Sequence, residues 1–118
     1  MVSLHLWLGV AVIAVCVAAA ALGFLGLRRG GEAGSVTTHA LALAQTALIA
    51  QAAVGLLLLA DDRRAPDRLH YAYGAFALGA VLAPWFYAPG SGSRRLLWFA
   101  CATLLAGALA VRAFMTGS

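Results

Sequence analysis

The strongest constraint on the fold is a set of four apolar segments separated by short polar loops. The segments lie at about residues 4–27, 38–60, 69–87 and 96–115. Each is close to the ~20 residues that a helix needs to cross the hydrocarbon core of a bilayer. A backbone inside lipid must satisfy its own hydrogen bonds, so the segments are expected to be helices. We therefore predict an all-α integral membrane protein, with residues 1–118 forming one up-down-up-down four-helix bundle.

The composition supports a membrane location and excludes a soluble enzyme. The chain has 118 residues, of which 64% are hydrophobic and 10% are charged. Soluble domains are roughly half apolar and a quarter charged. The net charge of +4 comes from eight arginines without any lysine. These arginines lie in short clusters at segment ends and form no long basic face, so we predict a lipid bilayer and no nucleic acid as partner.

Orientation in the membrane is not decided by the arginines, because four lie on each predicted side. The three aspartates share a side with both termini, which favours termini outside a membrane that we expect to be a bacterial cell membrane. The first apolar segment has no preceding Lys or Arg and is too long for the apolar region of a signal peptide. It is therefore interpreted as a span.

Two copies of the pattern Leu-His-x-x-x-Gly open the first and third segments. They place His5 one helical turn before Gly9, and His70 one turn before Gly74, on the same helix face. Both helices enter from one side of the membrane, so the two imidazoles should lie at similar depth. We predict that His5 and His70 ligate the iron of one haem b, with the two glycines leaving clearance for the ring. The alternative is a pair of interfacial histidines.

Other polar residues receive separate interpretations. Gln51 lies near mid-membrane and needs an internal partner, and Gln51-x-x-x-Gly55 again puts a small residue one turn from a polar one. His39 opens a segment of opposite direction, some 25–30 Å from the histidine pair, and is expected to have an interfacial or capping role. Pro84 should kink or end the third helix. The two cysteines belong to no C-x-x-C pair and are interpreted as buried small residues: Cys16 and Cys101.

Arginines on the histidine side offer partners for haem propionates, because guanidinium groups bind carboxylates well. They follow the second segment in the loop at residues 61–68. The candidates are Arg63, Arg64 and Arg68.

The ordered set of motifs resembles one half of the haem A synthase family, over roughly residues 4–80. The set comprises His5-x-x-x-Gly9, an apolar span ending in Arg28-Arg29, Gln51-x-x-x-Gly55, a charged loop and His70. The resemblance implies a four-helix half in which His5 and His70 are axial haem ligands on the outer face, with the Gln-x-x-x-Gly helix between them.

The sequence also departs from that family. The family's catalytic half-motif is similar to Glu-x-x-His-Arg, whereas Val2 and Leu6 occupy the Glu and Arg positions here. A loop cysteine pair is not seen. The resemblance therefore implies a b-type cytochrome-like scaffold, and we do not expect haem A synthesis by this chain alone.

Three functions remain open from the sequence. The first is a small membrane haem protein for electron transfer or haem handling, because two axial histidines leave the iron no open position. The second is a cofactor-free accessory subunit of a larger respiratory membrane complex, or a homodimer. A stripe of small residues favours such packing: Ala11, Ala14, Ala18 and Ala21. The third, a transporter or quinone-binding protein using Gln45, Gln51 and the histidines, is weaker, because no membrane-embedded acid is present.

Overall fold

The chain is helical and contains no strand wherever the structure, a computed structural model, describes it: residues 2–30, 34–60, 68–90 and 92–116. The helices are α1 (Val2–Arg28), α2 (Ser35–Ala60), α3 (Leu69–Leu82), α4 (Pro84–Tyr87) and α5 (Ser93–Thr116). Three of them, α1, α2 and α5, are long and apolar enough to cross a membrane. The predicted all-helical class is confirmed, as is the presence of membrane-span candidates. Helices α2 and α5 begin a few residues earlier than predicted.

The third predicted segment is not one uninterrupted helix. Helix α3 ends at Leu82 and α4 begins at Pro84, because proline has no N–H to donate and its ring clashes with the preceding turn. Ala83 keeps helical dihedral angles of −54° and −39°, so the chain continues in nearly the same direction. Helix α3 alone has 14 residues, fewer than the ~20 of a simple span. The break at Pro84 is as predicted, and the span predicted over about 69–87 stays a prediction.

Helix neighbours define which elements meet at the candidate site. Helix α1 packs against α2 and α5, and α3 packs against α5 and α2, while α1 and α3 have no close backbone contact. Helices α1 and α5 approach each other closely at two glycines. A Cβ on Gly23 would lie 2.8 Å from the Cβ of Ala100, and one on Gly107 would lie 3.0 Å from the Cβ of Cys16. Missing side chains therefore allow these two helices to pack closely, as small residues do in membranes.

The outer surface of the bundle is strongly apolar. Large side chains are more exposed there than in soluble proteins, including Trp7 at 69%, Leu56 at 67% and Phe76 at 65% exposed. Soluble monomers rarely expose large contiguous apolar patches, whereas lipid accommodates them. The surface is therefore consistent with an integral membrane protein.

The alanine stripe of α1 faces outward. All four of its members are exposed: Ala11, Ala14, Ala18 and Ala21. The face of α1 that packs within the bundle instead carries Val12, Cys16 and Ala19. The stripe therefore mediates no close contact inside this chain, and the glycines at the α1–α5 contact have that role.

Candidate functional site

The structure brings His5 and His70 together at one end of the bundle. Their ring centroids are 5.8 Å apart and the ring planes are at 83°. Because α1 and α3 make no close backbone contact, these two side chains meet across the diagonal of the bundle. The two imidazoles lie at the same end of the bundle, as expected, whereas their depth in a membrane and their role as haem ligands stay predictions. We call this region the histidine end; it consists of the starts of α1 and α3 and the ends of α2 and α5.

The orientation of His70 is fixed by the backbone of α5. Its Nδ1 donates a hydrogen bond of 2.6 Å to the carbonyl oxygen of Ala113. A neutral imidazole that donates through Nδ1 keeps the lone pair on Nε2. Metal-binding histidines are commonly oriented in this way, with the second ring nitrogen bonded to a carbonyl. Sequence reasoning did not find this partner, because a backbone carbonyl leaves no residue-type signal.

His5 is positioned by two residues of α2. A Cβ on Gly55 would lie 3.2 Å from Cε1 of His5, so this glycine leaves room for the ring against α2. Gln51 donates a hydrogen bond of 2.7 Å from Nε2 to the backbone oxygen of His5. The spacing of four places both residues on the helix face that meets α1. The prediction that Gln51 has an internal partner is confirmed.

Two polar atoms beside the histidine pair are buried without a hydrogen-bond partner. They are Nδ1 of His5 and Oε1 of Gln51. Most buried polar atoms in proteins are satisfied, so such atoms call for an explanation. The two are chemically complementary, because an imidazole N–H donates and an amide oxygen accepts. If Nδ1 carries the proton, the lone pair of His5 lies on Nε2, as it does in His70.

The two glycines of the Leu-His-x-x-x-Gly pattern have different surroundings. Gly74 has open space, with no atom within 4 Å of an added Cβ. At Gly9 the corresponding position lies 3.2 Å from Nε2 of Gln51 and 3.5 Å from Cδ2 of Phe114. Space for a ligand is therefore present beside Gly74, whereas the room expected at Gly9 holds neighbouring side chains. Helical spacing identifies the face of a residue but not its neighbours.

Positive charge lies close to the histidine pair. Arg68 is exposed and directly precedes α3, whereas Arg63 and Arg64 lie outside the residues that the structure describes. Sequence reasoning did not assign Arg112 to the site. Its guanidinium carbon lies 5.4 Å from the centroid of the Tyr73 ring, a cation–π arrangement. Arg112 directly precedes Ala113, whose carbonyl orients His70. The signal for Arg112 in the sequence was its place near the end of the last segment.

His39 and the cysteines are not part of this site. Nδ1 of His39 donates a hydrogen bond of 2.7 Å to the backbone oxygen of Ser35, one turn earlier in α2, which agrees with the predicted local role. Cys16 is buried as predicted, but Cys101 is exposed. The prediction of burial is wrong for Cys101, because an apolar residue of a membrane helix can face outward as readily as inward.

The opposite end of the bundle carries Arg28, Arg29, Arg94 and Arg95, and we call it the arginine end. Trp85 of α4 donates a hydrogen bond of 2.8 Å to Oε1 of Gln45 in α2, and its ring packs edge to face on Phe99 at 5.3 Å. The guanidinium carbon of Arg95 lies 5.4 and 5.0 Å from these two rings. Trp85 is therefore a packing residue between helices as well as a surface aromatic.

Comparison with known proteins gives no relative: no family model, no curated protein and no solved structure matches the chain. Among the described residues, no group of three or more His, Cys, Asp or Glu side chains is arranged to hold a metal ion. The candidate site therefore consists of two imidazoles and the groups that orient them.

A haem needs only two axial ligands from the protein, which is the number that the histidine pair supplies. With metal–nitrogen bonds of about 2 Å, two imidazoles on opposite sides of one metal ion would have ring centroids about 6 Å apart. The observed 5.8 Å between His5 and His70 is close to this separation. The lone pair on Nε2 of His70 suits ligation, and so does that on Nε2 of His5 when Nδ1 of His5 carries the proton. The two histidines and the groups that orient them therefore fit a haem.

Proposed function

We propose that this chain is an integral membrane four-helix protein that holds one b-type haem between His5 and His70. The meeting of these imidazoles across the bundle diagonal is the observation that carries the proposal. In this arrangement α1, α2 and α5 are full spans, and α3 with α4 forms the fourth, interrupted span. The chain alternates in direction, with both termini on the outer side of a bacterial cell membrane. The resemblance to one half of haem A synthase supports the same scaffold.

The surrounding residues have defined tasks in this proposal. The carbonyl of Ala113 orients His70, and Gly55 provides the seat for the His5 ring. When haem is bound, Nδ1–H of His5 would donate a hydrogen bond to Oε1 of Gln51, which would satisfy the two atoms that have no partner in the structure. These contacts raise the basicity of both Nε2 atoms and hold the rings in place.

Haem b, when bound, supplies one-electron iron chemistry. If His5 and His70 both ligated the iron, no open coordination position would remain, so electron transfer or haem handling would suit the site better than oxygen chemistry. Gly74 leaves space for the edge of the macrocycle. Arg68 and the neighbouring Arg64 of the loop provide positive charge for the propionates.

The test is an absorption spectrum of the detergent-purified protein, first air-oxidised and then reduced with dithionite. We expect a Soret band and, on reduction, the sharp alpha and beta bands of a six-coordinate haem. His5→Ala and His70→Ala should each lose these bands. His39→Ala is the matched control, because His39 bonds its own helix backbone and should leave the spectrum unchanged.

Two results would overturn the haem assignment. One is a preparation that stays colourless after expression with added haem, with a far-ultraviolet circular dichroism spectrum that confirms the helices. The other is an unchanged spectrum in both histidine variants.

A second candidate function is that of an accessory subunit, in a homodimer or a larger respiratory membrane complex. The exposed alanine stripe on α1 favours it, because small residues facing outward permit close approach of another helix. Replacement of Ala14 and Ala18 by Leu should then release the partner during purification. The matched control is the same change at Ala75, which is exposed on α3. Co-purification that survives the α1 change would exclude this surface as the contact.

A further inference from the structure

A groove of about 400 Å³ runs along the outer surface between α3 and α5. Two small residues line its α3 side and leave the space: Ala80 within α3, and Ala83 directly after it. Its α5 side is lined by Trp98, Cys101 and Leu105, among others. The lining is almost entirely apolar, so the groove suits a hydrocarbon chain and offers little to a polar ligand.

An arginine, Arg94, precedes the groove-lining residues of α5. Arg94 precedes Trp98 by four residues and Cys101 by seven, so all three lie on one face of α5. Arg94 is exposed at the arginine end, one helical turn before Trp98 of the groove lining. The neighbouring Arg95 is engaged elsewhere, because its Nη1 donates a hydrogen bond of 3.1 Å to the backbone oxygen of Pro89 and its guanidinium packs on two aromatic rings.

We propose that this groove binds one acyl chain of an anionic phospholipid, with the lipid phosphate held by Arg94. Charge and shape support the assignment together. The groove provides apolar surface at membrane depth, and the arginine lies at its end, where a headgroup would be. Arginine binds phosphate through charge-assisted hydrogen bonds, and Trp98 belongs to the residue type enriched at the level of headgroups. The proposal depends on membrane insertion but not on haem.

The wild-type chain carries a probe of the groove. Cys101 is exposed within it, whereas Cys16 is buried, so a maleimide reagent should label Cys101 alone in the folded protein. The labelling rate is measured in dodecyl maltoside during titration with dioctanoyl phosphatidylglycerol. A parallel titration uses dioctanoyl phosphatidylcholine, which has the same chains but no net charge. We expect phosphatidylglycerol to protect Cys101 at about fivefold lower concentration, the effect of one arginine near an anionic surface.

Two pairs of variants separate the headgroup contact from the groove. Arg94→Gln should abolish the preference for phosphatidylglycerol, whereas Arg28→Gln should keep it, because Arg28 lies at the same end on α1 and outside the groove. Ala102→Leu should fill the groove and weaken protection by both lipids. Its control is Ala42→Leu, an equal change at an exposed position on α2 outside the groove.

Each other outcome overturns the proposal. Equal protection by the two lipids, or a preference that survives Arg94→Gln, would remove the phosphate contact. Absence of protection in the folded wild-type protein would remove the groove as a lipid site. These readouts do not involve absorption by haem, so failure here is distinguishable from failure of the histidine site.

Discussion

Replacement of Gly55 by Ala should displace the His5 ring without removing any ligand-binding group. The added Cβ would lie 3.2 Å from Cε1 of His5. Carbon atoms in favourable contact are about 3.5–4.0 Å apart, so the ring must move by roughly 0.3–0.8 Å. The matched control is Gly79→Ala. Gly79 also lies inside a helix, but nothing is within 4 Å of its added Cβ.

The expected free energies follow from two opposing contributions. Glycine to alanine inside a helix stabilises by up to about 1 kcal/mol in both variants. In Gly55→Ala, displacement of the His5 ring away from its preferred rotamer costs about 0.5–1.5 kcal/mol. We therefore expect Gly79→Ala to raise the free energy of unfolding by about 1 kcal/mol, and Gly55→Ala to leave it nearly unchanged.

The free energies are measured by titrating sodium dodecyl sulfate into dodecyl maltoside micelles and following helix content by far-ultraviolet circular dichroism. Equal stabilisation by the two variants would refute the inference that Gly55 and the His5 ring are in tight contact. If the histidine pair holds haem, the same displacement is comparable to the tolerance of about 0.5 Å for a preorganised site. Haem affinity should then fall by about tenfold in Gly55→Ala and stay unchanged in Gly79→Ala.

Three further predictions concern packing, a buried hydrogen bond and accessibility. Gly23→Ala should lower the free energy of unfolding in the same titration by about 1–2 kcal/mol, because its Cβ would lie 2.8 Å from a Cβ of α5; an unchanged value would contradict the close α1–α5 contact. A double-mutant cycle of Trp85→Phe and Gln45→Leu should give a coupling free energy of about 1 kcal/mol, reflecting their 2.8 Å hydrogen bond; additive effects would exclude it. Maleimide should modify Cys101 in folded protein and Cys16 only after unfolding, measured by intact mass; equal rates would contradict their different burial.

The helical architecture was predictable because it depends on composition and on single residues. Apolar runs of bilayer length leave helices as the expected solution, and Pro84 ends α3 for a covalent reason that is visible in the sequence. The local role of His39 was likewise predictable, since its hydrogen-bond partner is one turn away. Segment direction was enough to predict that His5 and His70 lie close together.

The detailed surroundings were not predictable, because they depend on how the helices are rotated about their axes. The alanine stripe on α1 did not indicate whether it would pack inside the bundle, and the structure places Ala14 and Ala18 on the outer surface. Gly9 was expected to face a ligand, but Gln51 and Phe114 fill that space. The pairing of Trp85 with residue 45 joins positions 40 apart in the chain, and no sequence pattern indicates it.

The interface between α2 and α3 is packed less extensively than the other interfaces between neighbouring helices of the bundle. At the arginine end, the hydrogen bond between Gln45 and Trp85 fastens it. At the histidine end, α2 holds His5 while His70 extends from α3 and is tied to α5. A ligand bound by both imidazoles would therefore connect α2 and α3 at the histidine end as well. Ligand binding would then be coupled to separation of α2 from α3, so any ligand held by both imidazoles would also stabilise the closed bundle.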